Sequence, residues 1–292
     1  MTQPAAPRPA TVTPVIRPAT ADDVAEIRSI LAEHGNDGPH PEVDIVGPYV
    51  HHLIATARAL VSDDGDRLAA FGATVATGTG RHLSDLFVRA DRLGQGIGRP
   101  LLDALFADDW PRTTFASDDP RALPLYVRAG MSPRWLGLYL VGSGASVPEP
   151  DRRLTVEPAD ASRLAALELE WTGADRRIDH EHWASQADAD AFVVLDGGGV
   201  VAAGNARARQ KGPDRALNRL VIRPAAEPLG PILVALRRAA QDGRVLACVP
   251  SPSVALRPLL EAGFRIEDRD TFMASGPDLV DPDRLLPNSG ML

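Results

Sequence analysis

The sequence predicts an α/β (α+β) protein built from two tandem domains that share one plan. Its 292 residues exceed the roughly 100 to 200 residues of a typical domain, which favours two domains. Strand, turn and helix patterns of the first half recur in the second half. Residues 142–152 are rich in Gly, Ser and Pro, as in a linker. We therefore expect a disordered lead-in, a first domain, a linker, a second domain and a C-terminal tail at 1–14, 15–141, 142–152, 153–275 and 276–292.

Composition and charge limit the classes of partner. The formal net charge is −8, and nucleic-acid binding needs a clustered basic surface, so we expect no nucleic-acid partner. The lone cysteine, Cys248, cannot form an internal disulfide or a structural zinc site. No apolar run approaches the roughly 18 to 20 residues of a membrane-spanning helix. We expect a cytoplasmic protein, either a monomer or a homodimer, without a membrane partner.

The repeat is carried by matched short segments. Residues 16–19 and 156–159 open the two copies, and each is followed by Ala, Leu and Ile at helical spacing. Each copy continues with two strands joined by a Gly-containing turn, which is the pattern of a β-hairpin. A short apolar strand and a helix follow. Gly130 and Gly263 then end the last helix of each copy, because glycine suits the left-handed position there.

Three closely spaced glycines, Gly94, Gly96 and Gly98, separate a predicted strand at 85–88 from a predicted helix at 99–106. A glycine-rich turn that opens a helix presents unpaired N–H groups and the positive end of the helix dipole. Such a turn suits a phosphate or pyrophosphate. A P-loop is excluded because no Gly-Lys-Ser/Thr follows, and the dinucleotide fingerprint fails because Arg99 occupies the position of its third glycine.

The remaining spacing, Gly96-x-Gly98 after a strand, resembles the pyrophosphate loop of the GNAT superfamily of acetyl-CoA-dependent N-acetyltransferases. The resemblance covers most of residues 15–141. Residues 119–131 are similar to a later motif of that family, although Asp119 replaces the usual Asn and Met131 the usual Phe. Leu93 stands where the loop usually has Arg or Gln, and Arg92 or Arg99 could supply the missing contact.

The resemblance implies a fold, a cosubstrate and a site. Each domain would be GNAT-like, with a mixed, mostly antiparallel sheet flanked by helices. The strand before the loop would pair with the pantetheine arm of acetyl-CoA, and the loop amides would hold its pyrophosphate. The residues implied in acetyl-CoA binding are Leu86, Phe87, Val88, Arg92, Gly94, Gln95, Gly96, Ile97, Gly98, Arg99 and Asp119.

Acetyl transfer to an amine needs a proton acceptor for the amine and a proton donor for the thiolate. The resemblance places Tyr126 at the family's usual donor, although a tyrosine there could also be a core residue. Asp85 is the candidate base, and strand alternation predicts that it faces away from His82 and Ser84. The first domain has no cysteine for a covalent intermediate, so transfer would be direct.

The histidine pairs of the sequence predict no metal site. His51 and His52 are consecutive, and on a helix they would point in different directions. His180 and His182 are expected at the surface, with the wall of an acceptor pocket as the alternative.

The second copy lacks the features expected of a site. Leu229-Gly230-Pro231-Ile232 stands at the position of the loop, where Pro231 has no N–H, and Leu259 stands at the position of Tyr126. We expect a degenerate second domain and one acetyl-CoA per chain. The leading interpretation is an N-acetyltransferase that acts on an amine of a small molecule or peptide. The alternative is a non-catalytic acyl-CoA-binding or sensor protein.

Overall fold

The computed structural model describes residues 15–36, 44–209 and 214–292, and the predicted lead-in at 1–14 lies outside them. The described residues of the first half form ten regular helices and strands. They are β1 (Val15–Pro18), α1 (Val24–Glu33), α2 (Val46–Thr56), β2 (Arg58–Asp63), β3 (Leu68–Ala76), β4 (Arg81–Val88), α3 (Gly98–Leu105), β5 (Arg112–Ala116), α4 (Ala122–Arg128) and β6 (Ser132–Ser143).

The second half repeats this order element for element and adds one short strand. Its elements are β7 (Leu154–Pro158), α5 (Ala161–Thr172), α6 (Arg177–Ala184), β8 (Asp190–Asp196), β9 (Gly199–Ala208), β10 (Arg215–Ile222), α7 (Leu229–Ala240), β11 (Arg244–Pro250), α8 (Leu256–Glu261), β12 (Arg265–Ala274) and β13 (Leu285–Leu286).

The strands β1 to β13 of the described residues join one sheet, in which the two halves exchange their last strands. The order is β1-β2-β3-β4-β5-β12-β6-β11-β10-β9-β8-β7, with β13 beside β10. Thus β12 lies between β5 and β6, while β6 also pairs with β11. The pairs are antiparallel except β4–β5 and β10–β11 in the described parts of the chain. This mixed, mostly antiparallel sheet with flanking helices confirms the predicted fold class.

Strand β6 extends into the predicted linker. Gly142 and Ser143 are its last residues, and they pair with Val245 and Arg244 of β11. A side chain at residue 142 would place its Cβ 2.4 Å from the ring of Phe264, so the close packing of β6 requires glycine there. The glycine that suggested a linker therefore serves the contact between the two halves.

Local details show which residues of the two halves correspond. Gly130 and Gly263 have φ angles of 86° and 88° after α4 and α8. The next amides, of Met131 and Phe264, return to the carbonyl oxygens of Tyr126 and Leu259 at 3.1 and 3.0 Å. Tyr126 and Leu259 therefore occupy equivalent positions.

Acidic side chains begin the first long helix of each half. Asp160 accepts a 2.8 Å hydrogen bond from the amide of Arg163 at the start of α5. Asp23, just before α1, accepts one of 2.7 Å from the amide of Thr20 and is bound by Arg17. The hydrogen bond from Arg17 holds the pKa of Asp23 at about 2, so the carboxylate stays charged at neutral pH.

Helix α3 fixes the glycine turn against the sheet. Leu101, Leu102 and Leu105 lie on one face of α3 and are fully buried, together with side chains of β3 and β4. Burial of each leucine is worth about 1.5–3 kcal/mol, so the position of the helix is well determined. In the described residues, no helix combines the length and the apolar character that crossing a membrane requires.

Candidate active site

The candidate site opens where β4 and β5 separate. The two strands pair in parallel only from Arg81 to Leu83 on β4, opposite Arg112 to Thr114 on β5. Ser84 is an extra residue in β4, because Ala73 and Thr74 of β3 pair with Asp85 and Leu83. Such a bulge bends the strand and increases its twist. The bend leaves a gap beside the rest of β4.

A cavity of about 730 Å³ fills this gap and continues between the two halves. The first half contributes α1, α2, β4, β5 and the α4 residue Tyr126 to its wall. The second half contributes α6, β9 to β12 and residues 287–291. This volume lies within the range of small-molecule binding sites.

The glycine turn has an open backbone. Gly94 and Gly96 have φ angles of 77° and 80°, which other residues rarely adopt, and a Cβ on either would meet nothing within 4 Å. Gly98 begins α3. Among the described residues, no protein group accepts a hydrogen bond from the amides of residues 94–99. These amides and the start of α3 could hold a phosphate group.

The two arginines beside the turn are engaged by carboxylates. Arg92 Nη2 lies 2.6 Å from Asp64, and Arg99 Nε lies 3.1 Å from Asp103. The side chain of Gln95 donates to the carbonyl oxygen of Asp91. The open groups of the turn are therefore its backbone amides and not its side chains.

Other residues implied in acetyl-CoA binding lie closer to the cavity. Leu86, Phe87 and Asp119 line it, and the carbonyl oxygen of Val88 lies 2.9 Å from Nε2 of His34, another lining residue. Hydrogen bonds from Arg121 lower the pKa of Asp119 to about 2. His34 was missed because nothing in the sequence of α1 links it to β4.

Asp85 lies in the wall of the cavity with Tyr49 as its partner. The Tyr49 hydroxyl donates a 2.7 Å hydrogen bond to Oδ2 of Asp85. Burial raises the pKa of Asp85 to about 6, and the hydrogen bond from Tyr49 acts in the opposite direction. Burial and the Asp85 charge raise the pKa of Tyr49 well above 10. The Asp85 carboxyl therefore has a pKa closer to neutral pH than that of an ordinary aspartate.

The prediction that Asp85 faces away from His82 is wrong. His82 Nε2 lies 2.9 Å from the carbonyl oxygen of Ser289. The hydroxyl of Tyr49, which is bound to Asp85, lies 3.4 Å from the carbonyl oxygen of Gly290. Both side chains therefore approach the same C-terminal segment. The bulge at Ser84 interrupts the alternation between them.

Tyr126 lies on α4 and is 7% exposed. Its side chain packs among residues of β4 and α3 and borders the cavity. Burial is the main cause that raises its pKa above 10, and the charges of Asp85 and Asp270 add to the effect. The phenol is therefore fully protonated at neutral pH and can act as a hydrogen-bond donor in the cavity.

The second half has an ion-pair cluster where the first half has Asp85. Strand β10 carries a bulge at Asn218, which makes Arg219 the counterpart of Asp85. Arg219 is buried against Glu168, which also lies 2.8 Å from His180 Nε2. Burial favours protonation of Glu168, but Arg219 and His180 outweigh it and hold its pKa far below the usual value. A carboxylate base is thus absent at this position.

His180 is 5% exposed, so its predicted place at the surface is wrong. It lies on α6, which packs on α5 and turns the ring toward Glu168. His182 stacks on His52 with 4.2 Å between ring centroids, and His52 contacts Asp179 at 2.7 Å. The contacts of His52 with His182 and Asp179 join α2 of the first half to α6 of the second.

The counterpart of the glycine turn is closed. Leu229 and Gly230 begin α7, and their amides donate to the carboxylate of Glu227 at 2.9 and 3.1 Å. A Cβ at residue 230 would lie 2.6 Å from the side chain of Leu154. The amides are satisfied by an anion of the protein itself, so this turn has no open place for a phosphate.

The C-terminal segment closes one side of the cavity. Met291 and Leu292 are 1% and 3% exposed, and Arg176 donates to their carbonyl oxygens. The Asn288 amide donates to Oδ1 of Asn218 at 2.6 Å. The sequence predicted only a tail here, because its Pro, Asn and Gly residues show no strand or helix period.

The chain has the same fold as solved GCN5-related N-acetyltransferases, including a tandem one. A proposed acetyltransferase from Pyrococcus horikoshii has a TM-score of 0.65 at 15% identity, over 100% of this chain and 98% of that one. A tandem GNAT protein from the clavulanic acid biosynthesis pathway gives 0.59 at 15%, over 91% and 99%.

A GCN5-related N-acetyltransferase from Sphaerobacter thermophilus gives a TM-score of 0.55 at 14% identity, over 96% of this chain and 99% of that one. No protein family model matches the sequence, and comparison with curated proteins gives no match. At these identities the likeness concerns the fold.

Proposed function

We propose that the protein is an N-acetyltransferase, which moves an acetyl group from acetyl-CoA to an amine of a small molecule or peptide. The observation that carries the proposal is the cavity at the divergence of β4 and β5. A half-buried carboxylate, Asp85, and a buried phenol, Tyr126, both line it. The open glycine turn lies at the start of α3, between these strands in the sequence.

In this proposal the backbone of the turn binds the donor. The amides of residues 95–99 would hold the pyrophosphate at the start of α3, with Gly94 and Gly96 allowing close approach. Residues 86–88 would lie along the pantetheine arm. Arg92 and Arg99, which now pair with Asp64 and Asp103, could add contacts to the phosphates. Asp119, held by Arg121, would orient the start of α4.

Asp85 would serve as the base. An alkylammonium with a pKa near 10.4 must lose a proton before its nitrogen can attack. With a pKa of about 6, Asp85 is mostly ionised at pH 7 and can take that proton. The nitrogen then forms a bond to the thioester carbonyl carbon, and the C–S bond breaks as the tetrahedral intermediate collapses.

Tyr126 would act as the general acid. The departing sulfur carries the electron pair of the broken bond and needs a proton. Burial keeps the phenol of Tyr126 protonated at neutral pH, so it would hold a proton that the sulfur can take. The nitrogen gives up its second proton as the amide forms, and that proton restores the phenol of Tyr126. The products are then the acetylated amine, free CoA and the proton taken by Asp85.

The second half would bind no acetyl-CoA. Its turn is occupied by Glu227, its base position by Arg219 and its acid position by Leu259. Its role would be to complete the wall of the acceptor site, to which it contributes α6 and β9 to β12.

The test has two measurements. The first is the release of free thiol from acetyl-CoA in the presence of a panel of amines, and the second is the thermal stabilisation of the protein by CoA. Amine-dependent thiol release that is lost in Asp85→Asn would support the proposal. Stabilisation by CoA without thiol release from any amine would favour the alternative, a non-catalytic acyl-CoA-binding or sensor protein. The absence of both would contradict the two interpretations together.

A further inference from the structure

The second half places one arginine in the cavity without a carboxylate partner. Arg207 on β9 lines the cavity. Its Nε donates to Oδ1 of Asn218 and its Nη1 to the carbonyl oxygen of Ala208, both at 3.0 Å. Both acceptors are neutral. Within residues 15–36, 44–209 and 214–292, no carboxylate forms an ion pair with Arg207.

A neighbouring arginine of the same cavity differs from Arg207 because it is paired with carboxylates. Arg209, two residues further along, also lines the cavity. It forms ion pairs with Asp214 and Glu267 at 3.3 and 2.5 Å. Two carboxylates thus balance the charge of Arg209, whereas the charge of Arg207 faces the cavity.

The environment of Arg207 is unfavourable for a cation. Burial lowers its pKa to about 10, so the guanidinium is still charged at neutral pH. The side chain of Arg207 is half-buried, and a charge that is partly removed from water without a counter-ion costs stability. A ligand that brings a negative charge would remove this cost, and a guanidinium binds a carboxylate through two parallel hydrogen bonds.

Arg207 also lies near the proposed base. Its charge acts on Tyr49, and the Tyr49 hydroxyl is bound to Asp85. An acceptor whose amine lies at Asp85 would therefore have the guanidinium of Arg207, from the second half of the chain, in the same cavity. A ligand with an amine at one end and an acid at the other fits both groups.

We propose that the acceptor is an amino acid or another amine that carries a carboxylate, and that Arg207 binds this carboxylate. The proposal rests on the proposed acetyltransferase function. A doubly charged phosphate fits less well, because Glu267, Asp268 and Asp270 line the same half of the cavity. One guanidinium balances one carboxylate.

The experiment compares each amino acid with its decarboxylated amine as acceptors, for example L-phenylalanine with phenethylamine and L-lysine with 1,5-diaminopentane. In the unaltered protein, kcat/KM should be about 10- to 100-fold higher for the carboxylated member of the preferred pair. Arg207→Met should reduce that ratio to near one through KM, while the Kd of acetyl-CoA stays the same. Arg207→Lys should retain part of the ratio.

Arg209→Met is the matched control, since it removes a paired arginine from the same cavity. It should leave the preference for the carboxylated member intact. Equal kcat/KM values for both members of every pair in the unaltered protein would overturn the proposal, and so would an unchanged preference in Arg207→Met.

A binding readout separates this proposal from the proposed function. Thermal stabilisation by the amino acids and by the amines is measured without acetyl-CoA. Stabilisation by amino acids that is lost in Arg207→Met supports the carboxylate site even if no acetyl transfer occurs. Acetyl transfer without any preference for carboxylated acceptors contradicts the carboxylate site while leaving the enzyme function in place.

Discussion

The hydroxyl of Tyr49 donates a 2.7 Å hydrogen bond to Oδ2 of Asp85. This contact joins α2 to the bulged part of β4, and it fixes the carboxylate in the wall of the cavity. Burial makes the carboxylate basic, while the phenol keeps it ionised at neutral pH. The pair therefore decides at which pH the proposed reaction can run.

The pH dependence of the reaction should show the Asp85 carboxylate. The base is active when it is ionised, so activity should be lost as the pH falls through about 6. The slope of log kcat/KM against pH should fall by one unit as the pH rises through this value. Asp85→Asn should lower kcat by about 10²- to 10⁴-fold and remove the inflection.

The control is Asp270→Asn, which also alters a carboxylate of the cavity that is bound by a tyrosine. This variant should keep the inflection. An inflection that persists in Asp85→Asn would assign it to another group.

Replacement of Tyr126 should slow acetyl transfer without weakening donor binding. Tyr126→Phe removes the proposed proton donor, and we expect kcat to fall about 10²-fold with the same Kd for acetyl-CoA. Tyr139→Phe is the control, because Tyr139 lines the same cavity but donates to Asp270. Steady-state kinetics and calorimetry measure the two effects. An undiminished rate in Tyr126→Phe would remove this residue from the donor role.

Gly96→Ala should weaken acetyl-CoA binding through the backbone. Gly96 has a φ angle of 80° with free space around it, so the cost is conformational strain of about 1–2 kcal/mol and not a clash. Relief of the strain would turn the amides away from the pyrophosphate, and we expect at least about a tenfold higher Kd, equivalent to 1.4 kcal/mol.

Gly65→Ala is the matched control for strain. Gly65 has a φ angle of 93° and equal space, but it lies between β2 and β3. This variant should lose similar stability in thermal unfolding and keep its Kd. Equal Kd values in both variants would argue against pyrophosphate binding at the turn.

Calorimetric titration should give one acetyl-CoA per chain. In the second half, Glu227 already satisfies the amides of Leu229 and Gly230, and its charge would repel a phosphate. Gly96→Ala should therefore weaken the whole of the observed binding. A second binding event of similar affinity would contradict a degenerate second half.

Glu168→Gln should destabilise the fold more than any exposed charge change nearby. It would leave Arg219 buried without its carboxylate, at a cost of about 3–5 kcal/mol. Glu170→Gln, at an exposed position two residues along α5, should change the free energy of unfolding by less than about 0.5 kcal/mol. Chemical denaturation measures both, and equal values would show that the cluster contributes little.

The repeated plan and the fold class could be predicted from the sequence because local patterns carry them. Glycines that need positive φ, such as Gly96, Gly130 and Gly263, mark turns wherever they fold. The resemblance of residues 119–131 to a known motif was enough to select Tyr126 as the candidate acid.

Other features of the candidate site had no local signal. Tyr49 and Asp85 are 36 residues apart, and His82 and Ser289 are 207 apart, so no short pattern links them. Alternation along β4 gave the wrong face for Asp85, because a bulge depends on the pairing with β3 and not on the strand alone.

The sequence by itself determined the turn, the strand before it and the repeat, since backbone conformation and hydrophobic period are properties of neighbouring residues. Only the tertiary structure decided that β6 and β12 exchange places, and that Arg207 of the second half lines the same cavity as Asp85 of the first. The physical reason is that burial, pKa and ion pairing depend on groups that the folded sheet brings together. For Asp85, that difference separates an ordinary surface carboxylate from one whose pKa is raised to about 6 by burial.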